Sequence, residues 1–289
     1  LINDKYRFNR IKQITTFAAM LKIRHIILYL LIATAFASCN SYQSIVKKGT
    51  TEQKYEAALK YYAKDDFYHA QQLLDELIVL YRGTDKLEQI YYLYAQTYYK
   101  QAEYIVASYH FKYFAKTFPK SKFAEECLYL SAYCKYLDSS PSNLDQSSTK
   151  EAISEMQFFI NVHPTSERVK EANRVMDELQ FKLLVKDFEI AQLYIKTEYY
   201  KSAVYALNQH IKDFPSSPYK EQALYLIIKA NYDYAVKSIA AKQKERFTDV
   251  MSSYNDYKAK FPEGEYNKQA SRYLHLAQNQ IKKIEKKRN

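Results

Sequence analysis

Residues 186–227 read KDFEIAQLYIKTEYYKSAVYALNQHIKDFPSSPYKEQALYLI, and the spacing inside them decides the fold. Ala191 and Ala203 lie twelve residues apart, Leu207 follows four after the second alanine, and Phe214 stands eleven after it, just before Pro215. Two helices joined by a tight turn approach closely where each carries a small residue. A large side chain one turn further on fills the groove between them. Proline then stops the second helix, because its ring clashes with the preceding turn.

The figure recurs. Eleven residues separate Ala70 from Tyr81, Ala107 from Phe118, Ala152 from His163 and Val250 from Phe261. Leu74, Phe111, Met156 and Tyr254 stand four after the small residue. Ala58 and Ala95 repeat the twelve-residue partner. Ala132 and Ala230 lie twenty residues before theirs, with the extra eight in SSPSNLDQSS-like loop sequence or in AAKQKERF, where an insertion costs little. Pro119, Pro164, Pro215 and Pro262 close four copies, and Arg82 replaces proline in the first. This pattern resembles the tetratricopeptide repeat. Tyr61, Tyr98 and Tyr194 stand at that repeat's first-helix tyrosine, and Lys135 and Asp233 depart from it.

The expected fold is all-α, an α-solenoid of about five helical hairpins at 52–82, 85–119, 121–164, 166–215 and 217–262, with a closing C-terminal helix near 265–287. From Pro164 to Ala191 takes 27 residues, where the second and third copies take 13. The surplus is close to four helical turns. It predicts a long helix around 167–196, dividing N-terminal repeats 1–3 (52–164) from a C-terminal half (165–289) of repeats 4–5, closing helix and basic tail.

Composition excludes several functions. Gly49, Gly83 and Gly264 are the only glycines and stand far apart, so no glycine-rich loop can cradle a phosphate or dinucleotide. The net charge of +11 is concentrated at the ends. Lys5, Arg7, Arg10, Lys12, Lys22 and Arg24 precede residue 38, and Lys282, Lys283, Lys286, Lys287 and Arg288 form the tail. The body between is nearly neutral, too little for a phosphate-binding stripe, and no nucleic acid is expected as a partner.

From Met20 the chain runs MLKIRH, then IILYLLIATAFA, then Ser38-Cys39: a basic region, an apolar run and a small-residue cleavage site. Twelve apolar residues span about 18 Å as a helix, short of a hydrocarbon core of about 30 Å. Residues 1–19 are read as upstream of the true start and 20–38 as a lipoprotein signal peptide. Phe36-Ala37-Ser38-Cys39 resembles a bacterial lipobox, which implies acylation of Cys39 and a tether over 39–51. Asn40 and its neighbours match neither an inner-membrane retention signal nor an acidic surface-export signal. By that resemblance the protein is lipid-anchored in the inner leaflet of the outer membrane, facing the periplasm.

Catalytic chemistry is not found. Cys127 and Cys134, seven apart on one helix, would stand about 10.5 Å apart, beyond disulfide reach. No acid or histidine completes a metal site, the six histidines are scattered, and no Ser–His–Asp set can be assembled from the sequence. No enzyme activity, metal or cofactor is expected beyond the covalent lipid on Cys39.

The lipobox, the tether, the repeat number, and the stretches 186–227 and 73–121 together resemble the BamD family, the D lipoprotein of the outer-membrane β-barrel assembly machinery. That resemblance implies a non-catalytic adaptor. Its C-terminal repeats would dock on the periplasmic domains of the barrel-assembly pore, and its N-terminal repeats would receive unfolded outer-membrane proteins. Arg168, Arg174 and Lys182, on the exposed face of the long helix, are the pore-docking candidates, against a solvated charged face. Another periplasmic repeat scaffold, for pilus assembly or cell division, is the alternative. A glycan-binding outer-membrane lipoprotein is disfavoured by the absence of Trp.

Tyrosines at a spacing of 37 are the client-groove candidates: Tyr55, Tyr92 and Tyr129, and again Tyr62, Tyr99 and Tyr136. Seven residues place each pair on one helical face, about 20° apart. Peptide-facing and inter-repeat packing roles both fit that face.

Overall fold

The computed structural model describes residues 42–288, with side chains to residue 286, and the described residues form helices and turns only. After α1 (42–48) come five hairpins. They are α2 (Thr51–Tyr62) with α3 (Phe67–Leu80), α4 (Lys86–Lys100) with α5 (Tyr104–Thr117), and α6 (Ala124–Leu137) with α7 (Ser147–Val162). The fourth joins α8 (Val169–Lys196) to α9 (Tyr200–Asp213), and the fifth α10 (Lys220–Val236) to α11 (Ala240–Lys260). Helix α12 (Asn267–Arg288) follows and packs on α10 and α11. The fold is an α-solenoid of tetratricopeptide-like hairpins, and the long helix expected near 167–196 is α8, 28 residues from Val169 to Lys196.

The chain divides into two compact units, one ending at Cys127 and the other beginning at Leu128. In the first, Ala58, Ala70, Leu73, Leu74, Leu77 and Ile90 are fully buried in one cluster. In the second, Ala191, Leu207, Ile228, Val250 and Tyr257 anchor the larger cluster. The alanines expected at helix contacts, including Ala95, Ala107, Ala152 and Ala203, have no exposed surface. One pairing differs. Ala230, matched to Val250 by spacing, packs with Tyr200 and Ala203, and Ile228 joins Val250 in the core. Thirteen residues separate Pro215 from Ile228, the interval of the second and third copies.

Residues 1–41, including the expected signal peptide and Cys39, lie outside the described residues. Part of the expected tether is folded. Helix α1 lays Tyr42, Ile45 and Val46 against the first core cluster, because those side chains recur at i, i+3 and i+4 and share a face. Thr50 then caps α2 through a capping box with Gln53.

Two turn types alternate along the chain. Inside hairpins one, two and four, Asp65, Ala102 and Glu198 adopt the left-handed conformation, at φ 58°, 60° and 65°. The next residue in each turn donates its backbone N–H to the carbonyl of Tyr61, Tyr98 or Tyr194. This is the bonding of a Schellman cap, built here without glycine. Between hairpins, Phe118, His163, Phe214 and Phe261 share φ between −121° and −132° and ψ between 59° and 71°. The following proline bars these residues from helical geometry. The first copy lacks proline and turns instead at Gly83, with φ 82°.

Ser121, Ser166 and Ser217, two residues after the proline, each accept the backbone N–H two residues further on. The fifth copy has Gly264 there. A Cβ would sit 2.4 Å from the Tyr257 hydroxyl and 2.3 Å from Glu221 Oε1, so a side chain here would have to push apart the groups that bond above it.

A left-handed alanine costs roughly 1–2 kcal/mol in strain, and a glycine there costs more chain entropy on folding. Ala102→Gly is therefore expected to raise stability by about 0.5–1 kcal/mol and to raise Tm. A lowered Tm would show that the turn does not need this conformation.

His110 stacks on Tyr98 at 5.0 Å and its Nδ1 lies 2.9 Å from the Tyr91 hydroxyl. Burial holds its pKa below the ordinary 6.5, against the opposing carboxylate of Asp75. Below about 6.5 the unfolded chain takes up this proton before the folded one does, so stability falls as pH drops through that window. His110→Phe is expected to flatten the decline in Tm between about pH 7 and pH 5. An unchanged slope would remove His110 as its source.

Candidate partner-binding surfaces

None of the six candidate groove tyrosines is exposed. Tyr129 is buried and the other five are partly buried. Three of them belong to one recurring contact, in which a first-helix ring meets the residue at the start of the next hairpin. Tyr92 stacks on Phe123 at 4.2 Å and 12°. Phe188 on Tyr219 (4.7 Å, 3°) and Tyr225 on Tyr266 (4.8 Å, 11°) repeat it. The other two copies place a cation over the ring: Lys86 Nζ lies 5.0 Å from the centre of Tyr55, and the Arg168 guanidinium 5.3 Å from that of Tyr129. The planar contact and the cation–π contact close the same joint.

The later tyrosine of each pair packs within its own hairpin or its neighbour. Tyr62 meets Phe67 at 5.4 Å, and Tyr99 meets Tyr104 and Phe111 at 6.0 and 6.3 Å. Tyr136 donates its hydroxyl to Glu178 at 2.6 Å, and that bond is the main reason its pKa is raised. Tyr92 donates to Glu126 at 3.2 Å and accepts from Gln96 at 2.9 Å. Each ring is packed while these two hydroxyls take part in polar chains.

The docking cations all have intramolecular partners. Arg168 covers Tyr129. Arg174, exposed on α8, bridges Glu171 and Glu178, and those carboxylates raise its pKa. Lys182 donates to Ser139 Oγ at 2.6 Å, and desolvation lowers its pKa.

A Ser–His–Asp chain that sequence reasoning could not assemble does form. His210 Nδ1 lies 2.9 Å from Asp187 Oδ2, and Nε2 lies 2.9 Å from Ser217 Oγ. The imidazole has no exposed surface, and Ser217 Oγ already accepts the Tyr219 N–H. Ser121 and Ser166 do the same turn work without a histidine. His210 also occupies the place of Leu77, Phe114, Phe159 and Tyr257, all fully buried four residues before the interhairpin cap. The chain locks a corner of the fold. Cys127 and Cys134 are buried thiols, and burial pushes Cys134 up to about 12. No group of three or more metal-ligating side chains is assembled among the described residues.

Large apolar side chains are exposed elsewhere, at or beside the turn within each hairpin. Tyr68, Ile105, Leu144, Tyr199 and Ile239 range from 54% exposed at Leu144 to 73% at Ile239. Sequence reasoning missed this set because its members differ in type and stand in loops or first helical turns, with only Tyr68 and Ile105 keeping the spacing of 37.

The profile of the family described as YfiO, outer membrane lipoprotein, matches residues 47–247. A protein of Aquifex aeolicus (strain VF5), assigned as outer membrane protein assembly factor BamD, is 23% identical over 242 residues, covering 83% of this chain and 78% of that protein. Among solved structures, the TPR2AB domain of yeast Sti1 in its pHSP90 complex superposes with a TM-score of 0.38 at 14% identity, over 79% of this chain and 98% of that one. A superposition that loose carries nothing about function. The profile spans all or part of every hairpin, from the end of α1 into α11, and on that match the chain belongs to the YfiO family of outer membrane lipoproteins.

Proposed function

We propose that this protein is a non-catalytic adaptor for inserting β-barrel proteins into the outer membrane, anchored by acylation at Cys39 to the periplasmic face of that membrane. The observation that carries the reading is the family match over 47–247, supported by the similarity to an assembly factor. In this reading repeats 4–5 dock on the periplasmic domains of the barrel-assembly pore, and the first-helix tyrosines of repeats 1–3 meet the unfolded client. Within the first unit, the partly buried rings of Tyr62, Tyr92 and Tyr99 support a packed floor whose edge carries the Tyr92 hydroxyl and its Glu126 partner. Such an edge suits an extended peptide, which brings both apolar side chains and unpaired backbone N–H groups.

Three measurements test it. A fatty-acid probe is expected to label the wild-type chain and not Cys39→Ala, and labelling of the variant would refute the anchor. Capture of the acylated protein from mildly solubilised envelopes is expected to recover the barrel-assembly pore, and Arg174→Glu to reduce that recovery several-fold. Recovery of a pilus secretin instead would favour the scaffold reading. Tyr62→Phe and Tyr99→Phe keep the rings, so they are expected to leave Tm near that of the parent while weakening binding of a C-terminal barrel peptide. Unchanged affinity in both would leave these tyrosines as packing alone.

A further inference from the structure

We propose that the turn edge of the first unit lies in the headgroup layer of the membrane that carries the anchor, with Tyr68 and Ile105 set among the lipids. The proposal rests on the acylation reading and adds an orientation to it.

Its starting point is where the folded chain begins. Tyr42 opens α1, and its ring lies 4.2 Å from His69 and 5.6 Å from Tyr61, with Tyr68 stacked edge-on to His69 at 5.5 Å. Those partners surround the turn where α2 passes into α3. Cys39 is three residues upstream of Tyr42, at most about 11 Å of extended chain. A lipid on Cys39 therefore emerges beside this turn, and the folded part of the expected tether leaves little slack for it to swing away.

The neighbouring hairpin brings its own turn to the same edge. The Gln101 side-chain amide, just after α4, donates to Gln71 at the start of the second turn of α3 at 2.7 Å. Ile105 is the second residue of α5, across the turn from Gln101. Tyr68 is 62% and Ile105 67% exposed, and nothing in hairpin packing requires a large apolar side chain to face outward at either place. Two large apolar side chains exposed on one edge make a candidate contact, and here the nearest surface is the one holding the anchor. A tyrosine ring with a wet hydroxyl suits the interfacial layer. Lys60, Lys64 and Lys100 stand exposed on the same edge, where ammonium groups reach lipid phosphates, opposed by Asp65 and Glu103. An acyl anchor alone leaves the protein free to roll, and this second contact fixes which edge faces the bilayer.

The chain contains no Trp, so one introduced indole reports its own surroundings. Cys127 and Cys134 are buried with raised thiol pKa values, so a maleimide phospholipid couples selectively to Cys39 of the mature chain. Coupled Ile105→Trp and Val79→Trp proteins are mixed with phosphatidylethanolamine–phosphatidylglycerol vesicles whose acyl chains carry bromine, a quencher of indole. Val79 is exposed and lies about 16 Å along α3 from Tyr68. The Ile105→Trp indole is expected to be quenched and blue-shifted, and the Val79→Trp indole to fluoresce as in water. An unquenched indole at 105, or equal quenching at both positions, overturns the proposal. Chemical coupling bypasses cellular acylation, so failure of the anchor reading is seen separately, in the fatty-acid labelling.

Discussion

Each hairpin can bury its inner face by itself, but the face it turns toward the next hairpin stays open until something covers it. In this protein one first-helix ring does so at every joint: Tyr55, Tyr92, Tyr129, Phe188 and Tyr225. Its partner is an aromatic ring three times and a basic side chain twice. The partner stands just before or at the start of the next first helix, so the contact sets where that helix begins. The interhairpin cap, proline and serine lead the chain to this point. That is why insertions of eight residues inside the third hairpin and ten inside the fifth leave the joint unchanged: they lengthen the hairpin and not the path between hairpins.

Scarcity of glycine shapes the turns. A chain with three glycines still needs left-handed residues where its first helices end, and Asp65, Ala102 and Glu198 supply them under strain. The glycines stand where no substitute works as well. Gly83 turns a corner that lacks proline, and Gly264 lies beneath the Tyr257 hydroxyl. At the other interhairpin turns the proline restricts the residue before it, which gives four nearly identical cap geometries from different local sequences.

The fold was legible because alanine pairs, large residues and prolines each report a steric requirement that does not depend on the rest of the molecule. The site was less legible, for a physical reason visible in the tyrosines. A first-helix ring that lines a groove and one that closes a joint occupy the same helical face, so the spacing of 37 fits both roles until the partner is known. Phe123, Tyr219 and Tyr266 are those partners, and each lies in a connecting segment without periodicity. The charged candidates show the same limit. Arg174 reads as an exposed cation, yet its Glu171 and Glu178 neighbours are set by helical spacing of three and four, and Arg168 faces a ring 39 residues away. The pairing of Ala230 with Val250 went astray because an insertion inside a hairpin can be placed on either side of its turn.

At one repeated buried position the two C-terminal hairpins differ from the other three, and the difference is polar. Four residues before the interhairpin cap, the first three copies bury Leu77, Phe114 and Phe159, whereas the fourth and fifth bury His210 and Tyr257. A buried polar side chain costs stability unless it is satisfied, and each has recruited a carboxylate: Asp187 for His210, and Glu221 for Tyr257 at 2.8 Å. Glu221 also accepts the Tyr266 N–H, and Ser217 completes the His210 chain. Apolar contacts at this corner would tolerate sliding, while directional bonds to fixed partners do not. The C-terminal hairpins thus exchange some apolar burial for a defined geometry at their connecting corners.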